Sequence, residues 1–476
     1  MKSTTSLTEG SISRTLLVFT LPILMGNVLQ SLNASVNAVW VGRFLGKAAL
    51  TATSNANAIL FLLMGGAFGV SLAATVLVAQ YTGAKQPDQA RRVVGASAAF
   101  FTVVAISFSV LGLLLTNSLL VSIHTPSDAL PFARDYLRVI FVALPFIYLN
   151  TYVMAVLRGA GDSKTPFKFL VLAVCLDIAL NPLLIFGWGP IPRLGITGAA
   201  SATLIANVIS LIALITVLYR RHDPLCLKGP DLSLLRFDGP IISALLRKGL
   251  PMGLQMVVIA ANAVMIITLV NPFGSDTTAA YGASWQLWNY VQMPALALGA
   301  AVSAMAAQNV GAKRWDRVKR IAHVGILFSL VATGTAALAL ILFDEVALRW
   351  FLPSDELVNI ARHINVIGAP SFVFFGLAMV LFGVIRSTGA VMPPLVILIV
   401  SLWGFRLPFA TLLMPRFGAD AIWWSFPLAG ALSALLAIMY YHFGHWRQAH
   451  MLTETHAADL NQRPVTVATS ADSKPS

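Results

Sequence analysis

The stretch Val174 to Phe186, VCLDIALNPLLIF, places Asp177 inside an otherwise apolar run. An ionised carboxylate at a bilayer centre costs about 2.5–3.5 kcal/mol on insertion scales, so an intramembrane acid is a functional group by default. Low dielectric penalises its charged form, which makes Asp177 a candidate proton carrier. Asn181 lies four residues on, on the same helical face, and Pro182 follows it. Proline withdraws a backbone donor and leaves a carbonyl about one turn earlier without its partner. A carboxylate, an amide and a free carbonyl together could hold a proton, a water or Na+.

A second polar stripe, Asn27, Gln30, Asn33 and Asn37, falls within an arc of about 120° of one helix. That face is wet or paired. Candidates for contact with a transported compound are Gln30 and Asn33 on this stripe, then Asn150, Thr203, Asn207, Gln255 and Asn262. Gln286 and Asn289, in the Trp-flanked stretch WQLWNYVQ, complete the set. Amides in membrane helices also join helices through hydrogen bonds alone, and that reading stands beside the first. Gly65 and Gly69 form a GxxxG that lets helices approach closely. Arg406 reads as a snorkelling or inter-helix group. Trp285 with Trp288, and Trp423 with Trp424, read as interface belts.

These side chains need a membrane-spanning scaffold, and the composition supplies it. The chain of 476 residues is 57% hydrophobic and 11% charged, too few polar side chains to coat a soluble globule. Apolar runs long enough to cross a bilayer as helices recur from Leu16 nearly to Tyr441, without the alternation a β-barrel needs. Twelve spans are predicted, at 16–40, 52–79, 93–115, 136–156, 167–186 and 195–219, then 250–270, 279–307, 321–343, 363–385, 392–413 and 419–441. The fold class is an all-α polytopic membrane protein. Residues 1–219 form an N-terminal six-helix lobe, 220–248 a cytoplasmic linker, 249–443 a C-terminal six-helix lobe, and 444–476 a polar tail expected to be disordered. The first span is too long for a signal-peptide core and reads as a retained helix.

The formal charge of +13 is distributed asymmetrically. Of the 32 Lys and Arg, 23 fall on the side of the N-terminus, 8 on the opposite side, and Arg406 within a span. By the positive-inside rule both termini are cytoplasmic, in a plasma (inner) membrane. The basic residues are dispersed among short loops, which argues against nucleic acid as a partner. Cys175 and Cys226 have neither disulfide-framework nor zinc spacing.

The chain is internally repeated. AQYTGAKQPDQARRVV from Ala79 and AQNVGAKRWDRVKRIA from Ala307 are 228 residues apart. At that offset Arg158 of LRGAGDSKTPF falls on Arg386 of IRSTGAVMPPL and Gly46 on Gly274, while Pro22 and Pro251 correspond within one residue. Six helices per copy is an even number, so the repeats are parallel and related by a pseudo-twofold axis along the membrane normal. A two-lobed bundle with a central cleft is what alternating access requires, and the duplication itself argues for a transporter.

VGRFLGKAAL, LRGAGDSKTPF, NPLLIF and AQNVGAKRWDRVKR, in this order and with their spacing and duplication, resemble the MATE family, the multidrug and toxic compound extrusion transporters, over about residues 12–443. The resemblance implies twelve helices in two lobes and cation-coupled export of amphipathic organic compounds. Relatives commonly carry an aspartate where Asn37 stands, and many have asparagine first and aspartate four later in span 5, the reverse of Asp177 and Asn181 here. Asp177, Asn181 and Asn37 are thereby implied as the cation-coupling group. Another branch uses a span 7 glutamate and a span 10 aspartate, and LQMVVIAAN and FVFFGLAMV contain no acid. A lone first-lobe acid favours H+ over Na+, which needs several oxygens. Such a pocket should prefer bulky monovalent or weakly polar compounds to dications.

The expected partners are therefore small organic molecules, a coupling H+ or Na+ and the lipid bilayer, with the chain acting as a monomer and using no cofactor. The alternative function is a flippase for lipid-linked oligosaccharide, which would need cationic residues inside spans to meet a pyrophosphate; only Arg406 qualifies. A membrane enzyme would need clustered acids or a supported histidine, and His124 with Asp128 lie on a proline-containing loop without a third partner. No GxxxxGK[ST] occurs, so ATP-driven pumping is unsupported.

Overall fold

The computed structural model describes residues 7–187 and 192–452. Backbone polar groups have no water to bond in lipid, so each apolar run closes its own hydrogen bonds as a helix. The first lobe comprises α1 (Ile12–Phe44), α2 (Lys47–Gly83), α3 (Pro87–Ser122), α4 (Leu130–Gly159), α5 (Lys164–Phe186) and α6 (Ile196–Arg220). The second comprises α7 (Gly239–Val270), α8 (Ser275–Val291), α9 (Met293–Gly311), α10 (Trp315–Leu348), α11 (Asp355–Gly368), α12 (Pro370–Arg386), α13 (Met392–Ile399), α14 (Leu407–Phe417) and α15 (Asp420–Phe443). Among the described residues, eleven helical stretches are long and apolar enough to cross a membrane, and α11 with α12, bent by 41°, makes a twelfth.

The predicted spans are shorter than these helices because apolarity marks only the lipid-facing part. At about 1.5 Å per residue, the 37 residues of α2 outreach a hydrocarbon core of about 30 Å. Irregularities in the second lobe have local causes. Proline has no N–H, so Pro370 at the start of α12 cannot continue the α11 ladder, and the tenth span bends there. The eleventh span is interrupted by a π segment, Val400–Arg406, which absorbs one residue more than an α-helix would.

The lobes meet along α2 and α7, where glycines remove the side chains between two backbones. Gly65 and Gly69 of the predicted GxxxG face Gly249 and Gly253, a second GxxxG on α7. A Cβ on Gly69 would overlap the backbone of Gly253, and one on Gly253 would reach the Gly65 carbonyl at 2.8 Å. Nearer the end that carries the repeated AQ-x-x-GAK motifs, the symmetry becomes explicit. Gln80 Nε2 donates to the Ser387 carbonyl at 2.7 Å, and Gln308 Nε2 to the Gly159 carbonyl at 2.8 Å. Both partners are related by 228 residues. Gly83 packs on the Gln308 backbone and Gly311 on the Gln80 backbone, so close that a Cβ at either would overlap a carbonyl. Among the described residues, the hydrogen bonds that join the lobes lie at this motif end. From Gly65 to Ala79, α2 is mostly buried, whereas from Ser54 to Met64 its residues, Ala56 apart, are exposed or half-buried, Phe61 and Leu62 among the exposed.

Two stretches carry more order than their sequence suggested. Within 220–248, a short 3-10 turn (Gly229–Leu234) packs against Gly95, Asp238 pairs with Arg92 at 2.7 Å, and α7 has already begun at Gly239. The first residues of the stretch read as a disordered tail, up to Leu452, fold back under the second lobe. Trp446 is buried, its Nε1 donates to the Tyr441 carbonyl at 2.7 Å, and its own carbonyl accepts from Thr388 Oγ1 at 2.7 Å. The cause is apolar: Trp446, Met451 and Leu452 are large enough to be worth burying in a segment otherwise polar. Residues 453–476, the rest of that expectation, lie outside the described residues.

Candidate functional site

Asp177 is buried in α5 and surrounded by donors from three helices. Asn33 Nδ2 and Asn37 Nδ2, one turn apart on α1, donate to Oδ2 at 2.8 and 2.9 Å. Thr203 Oγ1 of α6 donates to Oδ1 at 3.0 Å. Asn181 Nδ2 bonds the Asp177 backbone carbonyl at 2.8 Å and the Asn37 Oδ1 at 2.7 Å, and lies 3.5 Å from Asp177 Oδ1. The spacing explains the convergence: i, i+4 places Asn33 above Asn37, and Asp177 above Asn181, so two short polar columns face each other. Bonds to an ionised acceptor are the strong ones, and this carboxylate collects them from three directions. Among the described residues, the buried Oδ1 atoms of Asn33 and Asn181 have no hydrogen-bond donor.

The proposed coupling residues Asp177, Asn181 and Asn37 thus lie in one cluster, and Asn33 and Thr203, read from the sequence as substrate contacts, belong to it too. Asn150 and Asn207 form a separate pair: Asn150 Nδ2 lies 3.3 Å from both the backbone and side-chain oxygens of Asn207. Gln30 is exposed on α1. Gln255 lies elsewhere, near the motif end, where it donates to the Val391 carbonyl at 3.4 Å and accepts from Arg386 at 3.4 Å. In the eighth span Asn289 bonds the Trp285 carbonyl at 3.1 Å and accepts from Gln292 at 3.1 Å, while Gln286 is exposed.

Asn262 leads to a second buried centre. Its Oδ1 accepts from Arg406 Nη1 at 2.9 Å, and its Nδ2 donates to the Leu402 carbonyl at 3.1 Å. Arg406 closes the π segment, is buried, and lies with Cζ 3.4 Å from the centre of the Phe426 ring, with Ser425 Oγ 3.4 Å from Nε. It does not snorkel; it joins α7, the eleventh span and α15. The neighbouring aromatics also depart from expectation. Trp288 and Trp423 are buried with Tyr281, Phe372 and Phe426 in the second-lobe core instead of forming a belt, because the indole N–H of Trp288 finds an internal acceptor, Asn365 Oδ1, at 2.9 Å. Trp424 faces outward.

A family model described as MatE matches residues 22–183 and again 251–412, one copy on each lobe. The chain belongs to the MatE family. The probable multidrug resistance protein YoeA of Bacillus subtilis is 35% identical to this MatE chain over 437 residues, 91% of this chain and 94% of that protein. YpnP of the same organism, also a probable multidrug resistance protein, is 30% identical over 449 residues, 94% of this chain and 98% of that protein. A solved structure described as the outward-facing conformation of a multidrug resistance MATE family transporter superposes with a TM-score of 0.85 at 19% identity, covering 97% of this chain and all of that one. The fold is thus that of the multidrug efflux MATE transporters, with two six-helix lobes embedded in the membrane and small molecules as cargo.

Proposed function

We propose that this MatE chain exports amphipathic organic compounds from the cytoplasm across the plasma membrane in exchange for protons, acting as a monomer with both termini inside, and that Asp177 carries the proton. The observation that supports this reading is a buried carboxylate, far from any span end, with donors from α1, α5 and α6 on it and idle acceptors beside it.

Ionised, Asp177 can only accept, and Asn33, Asn37 and Thr203 are oriented to donate to it. Protonated, it has a hydrogen to give, and the unpartnered Oδ1 atoms of Asn33 and Asn181 are the acceptors at hand. A half-turn of the Asn33 amide exchanges NH2 for oxygen, so one proton reverses the polarity of the α1–α5 contact. Pro22 in α1 and Pro182 in α5 give both helices places to bend in response. The proton would enter as the compound leaves the cleft on the far side.

Proteoliposomes with pH and Na+ gradients imposed separately test the coupling ion. Accumulation of an amphipathic dye should follow the pH gradient, and a Na+ gradient alone should produce none. Equal accumulation driven by Na+ would replace the proton with Na+ bound among the same oxygens.

A further inference from the structure

The second lobe contains a buried charge for which proton coupling has no use. At the offset of 229 that superimposes Pro22 on Pro251, and the two MatE matches on each other, Asn33 falls on Asn262 and Asp177 on Arg406. The fold forms both pairs. Asn33 turns its NH2 to the Asp177 carboxylate at 2.8 Å, and Asn262 turns its oxygen to the Arg406 guanidinium at 2.9 Å. One duplicated position therefore holds an acid in the first lobe and a base in the second.

Among the described residues, Arg406 has no anion of its own. Its contacts are neutral: Asn262, Ser425 and the face of Phe426. The second-lobe acids Asp344 and Asp420 are engaged elsewhere, Asp344 with Arg362 and Asn365, and Asp420 with His363. Among the described residues no carboxylate lies within ion-pair distance of Arg406, and its Nη2, although buried, has no hydrogen-bond acceptor. Arginine stays charged, and a buried guanidinium without a counter-charge is costly. Its planar fork suits two oxygens of one group, and here one arm of that fork is idle. The π segment that ends at Arg406 is also the kind of helical irregularity that collects at functional sites.

We infer that Arg406 and Asn262 form an oxyanion site that takes the carboxylate or phosphate group of a transported compound, so that the preferred cargo is zwitterionic or anionic. This rests on the reading of the chain as an exporter, but not on which ion drives it. Nη2 supplies the free donor, Phe426 covers one face of the guanidinium, and Asn262 fixes the other arm.

The test is equilibrium binding, without any gradient, of tetramethylrhodamine, which carries a free carboxylate, and of its methyl ester to the purified full chain at neutral pH. Wild type should bind the acid about tenfold more tightly than the ester. Arg406→Gln should bring the two within about twofold, and Arg406→Lys should keep part of the preference. If Arg406→Gln does not fold, Asn262→Asp carries the test: it places a carboxylate beside Arg406, should unfold at no lower temperature than wild type, and should abolish the preference. Acetate and inorganic phosphate as competitors separate a free oxyanion from one borne by cargo; displacement of the acid but not the ester by either supports the site. Equal affinities in wild type, or a preference that survives both Arg406→Gln and Asn262→Asp, would overturn the inference. Because no gradient is used, failure of proton coupling leaves this result intact, and loss of the carboxylate preference with pH-driven export intact defeats this inference alone.

Discussion

The two lobes are copies that agree where they touch and disagree in their interiors. At the motif end Gln80 and Gln308 make the same bond to the opposite lobe, and Gly83 and Gly311 the same close approach. Deeper in, Asn33 meets an acid where Asn262 meets a base. Backbone-on-backbone contact has no room for variation, since any side chain at those glycines collides with a carbonyl. A charge inside a lobe touches only its own helices, so each copy could change sign without disturbing the seal. The lesson is that the symmetry of the scaffold says little about the symmetry of the chemistry.

Four sets of variants probe this difference between the lobes. The largest effect is expected from Asp177→Asn, which keeps the shape and removes the carboxylate: gradient-driven dye export in proteoliposomes should fall to background while the carboxylate preference of binding persists. Export at the parental rate would remove Asp177 from coupling. Next come Gly83→Val and Gly311→Val. Each pushes a side chain into the opposite lobe, so both should widen the motif end, read as a longer distance between spin labels on the 84–86 and 312–314 turns, and by similar amounts. A change in only one would show that the seal is not twofold.

A smaller and lobe-specific effect is expected for Asn33→Leu and Asn262→Leu. Each removes one bond to a buried charge, costing about 1.5–3 kcal/mol in thermal or chemical unfolding. Asn33→Leu should impair pH-driven export, and Asn262→Leu the preference for carboxylate-bearing cargo. Exchange of the two phenotypes would reverse the assignment of the lobes. Smallest are Gln80→Ala and Gln308→Ala, each deleting a neutral cross-lobe bond worth about 1 kcal/mol. Gln308 should cost more, because its Oε1 also accepts from the Leu7 N–H at 3.3 Å. Equal losses in unfolding experiments would mean that this second bond contributes nothing.

Much of this was legible before any coordinates. Spans follow from apolar length, the lobes from the repeated GAK motifs, the pairing of Asp177 with Asn181 from depth and i, i+4 spacing, and the addition of Asn37 from the family resemblance. Thr203 was legible as a polar residue in a span but not as a partner of Asp177, because which face of α6 turns to α5 is a packing outcome. For the same reason the partners of Gln255, Arg386 and a loop carbonyl near the end of its span, are not legible in the sequence. Arg406 was visible, yet its correspondence with Asp177 was hidden by one residue. The loop motifs align at 228, which sets Asp177 on Phe405; the π segment between Arg386 and Arg406 adds the residue that makes the true register 229. The fold-back of Trp446 depends on a groove made by distant helices and left no periodic trace.

The glycine face between α2 and α7 bears on motion. Helices that mesh by knobs and holes must disengage a row of side chains before they can change angle, because ridges lock into grooves. Gly69 and Gly253 approach backbone to backbone, and the only side chains named at the four glycines are the short ones of Val70 and Val257, so little has to disengage there. The contact works as a bearing: strong enough to keep the lobes together through close dispersion contact, and free of teeth. Rocking of one lobe on the other would then be resisted by the latches at the motif end, the Gln80 and Gln308 bonds together with those that tie the backbone of residues 7–10 to Gln308, Asn309, Arg314 and Arg317.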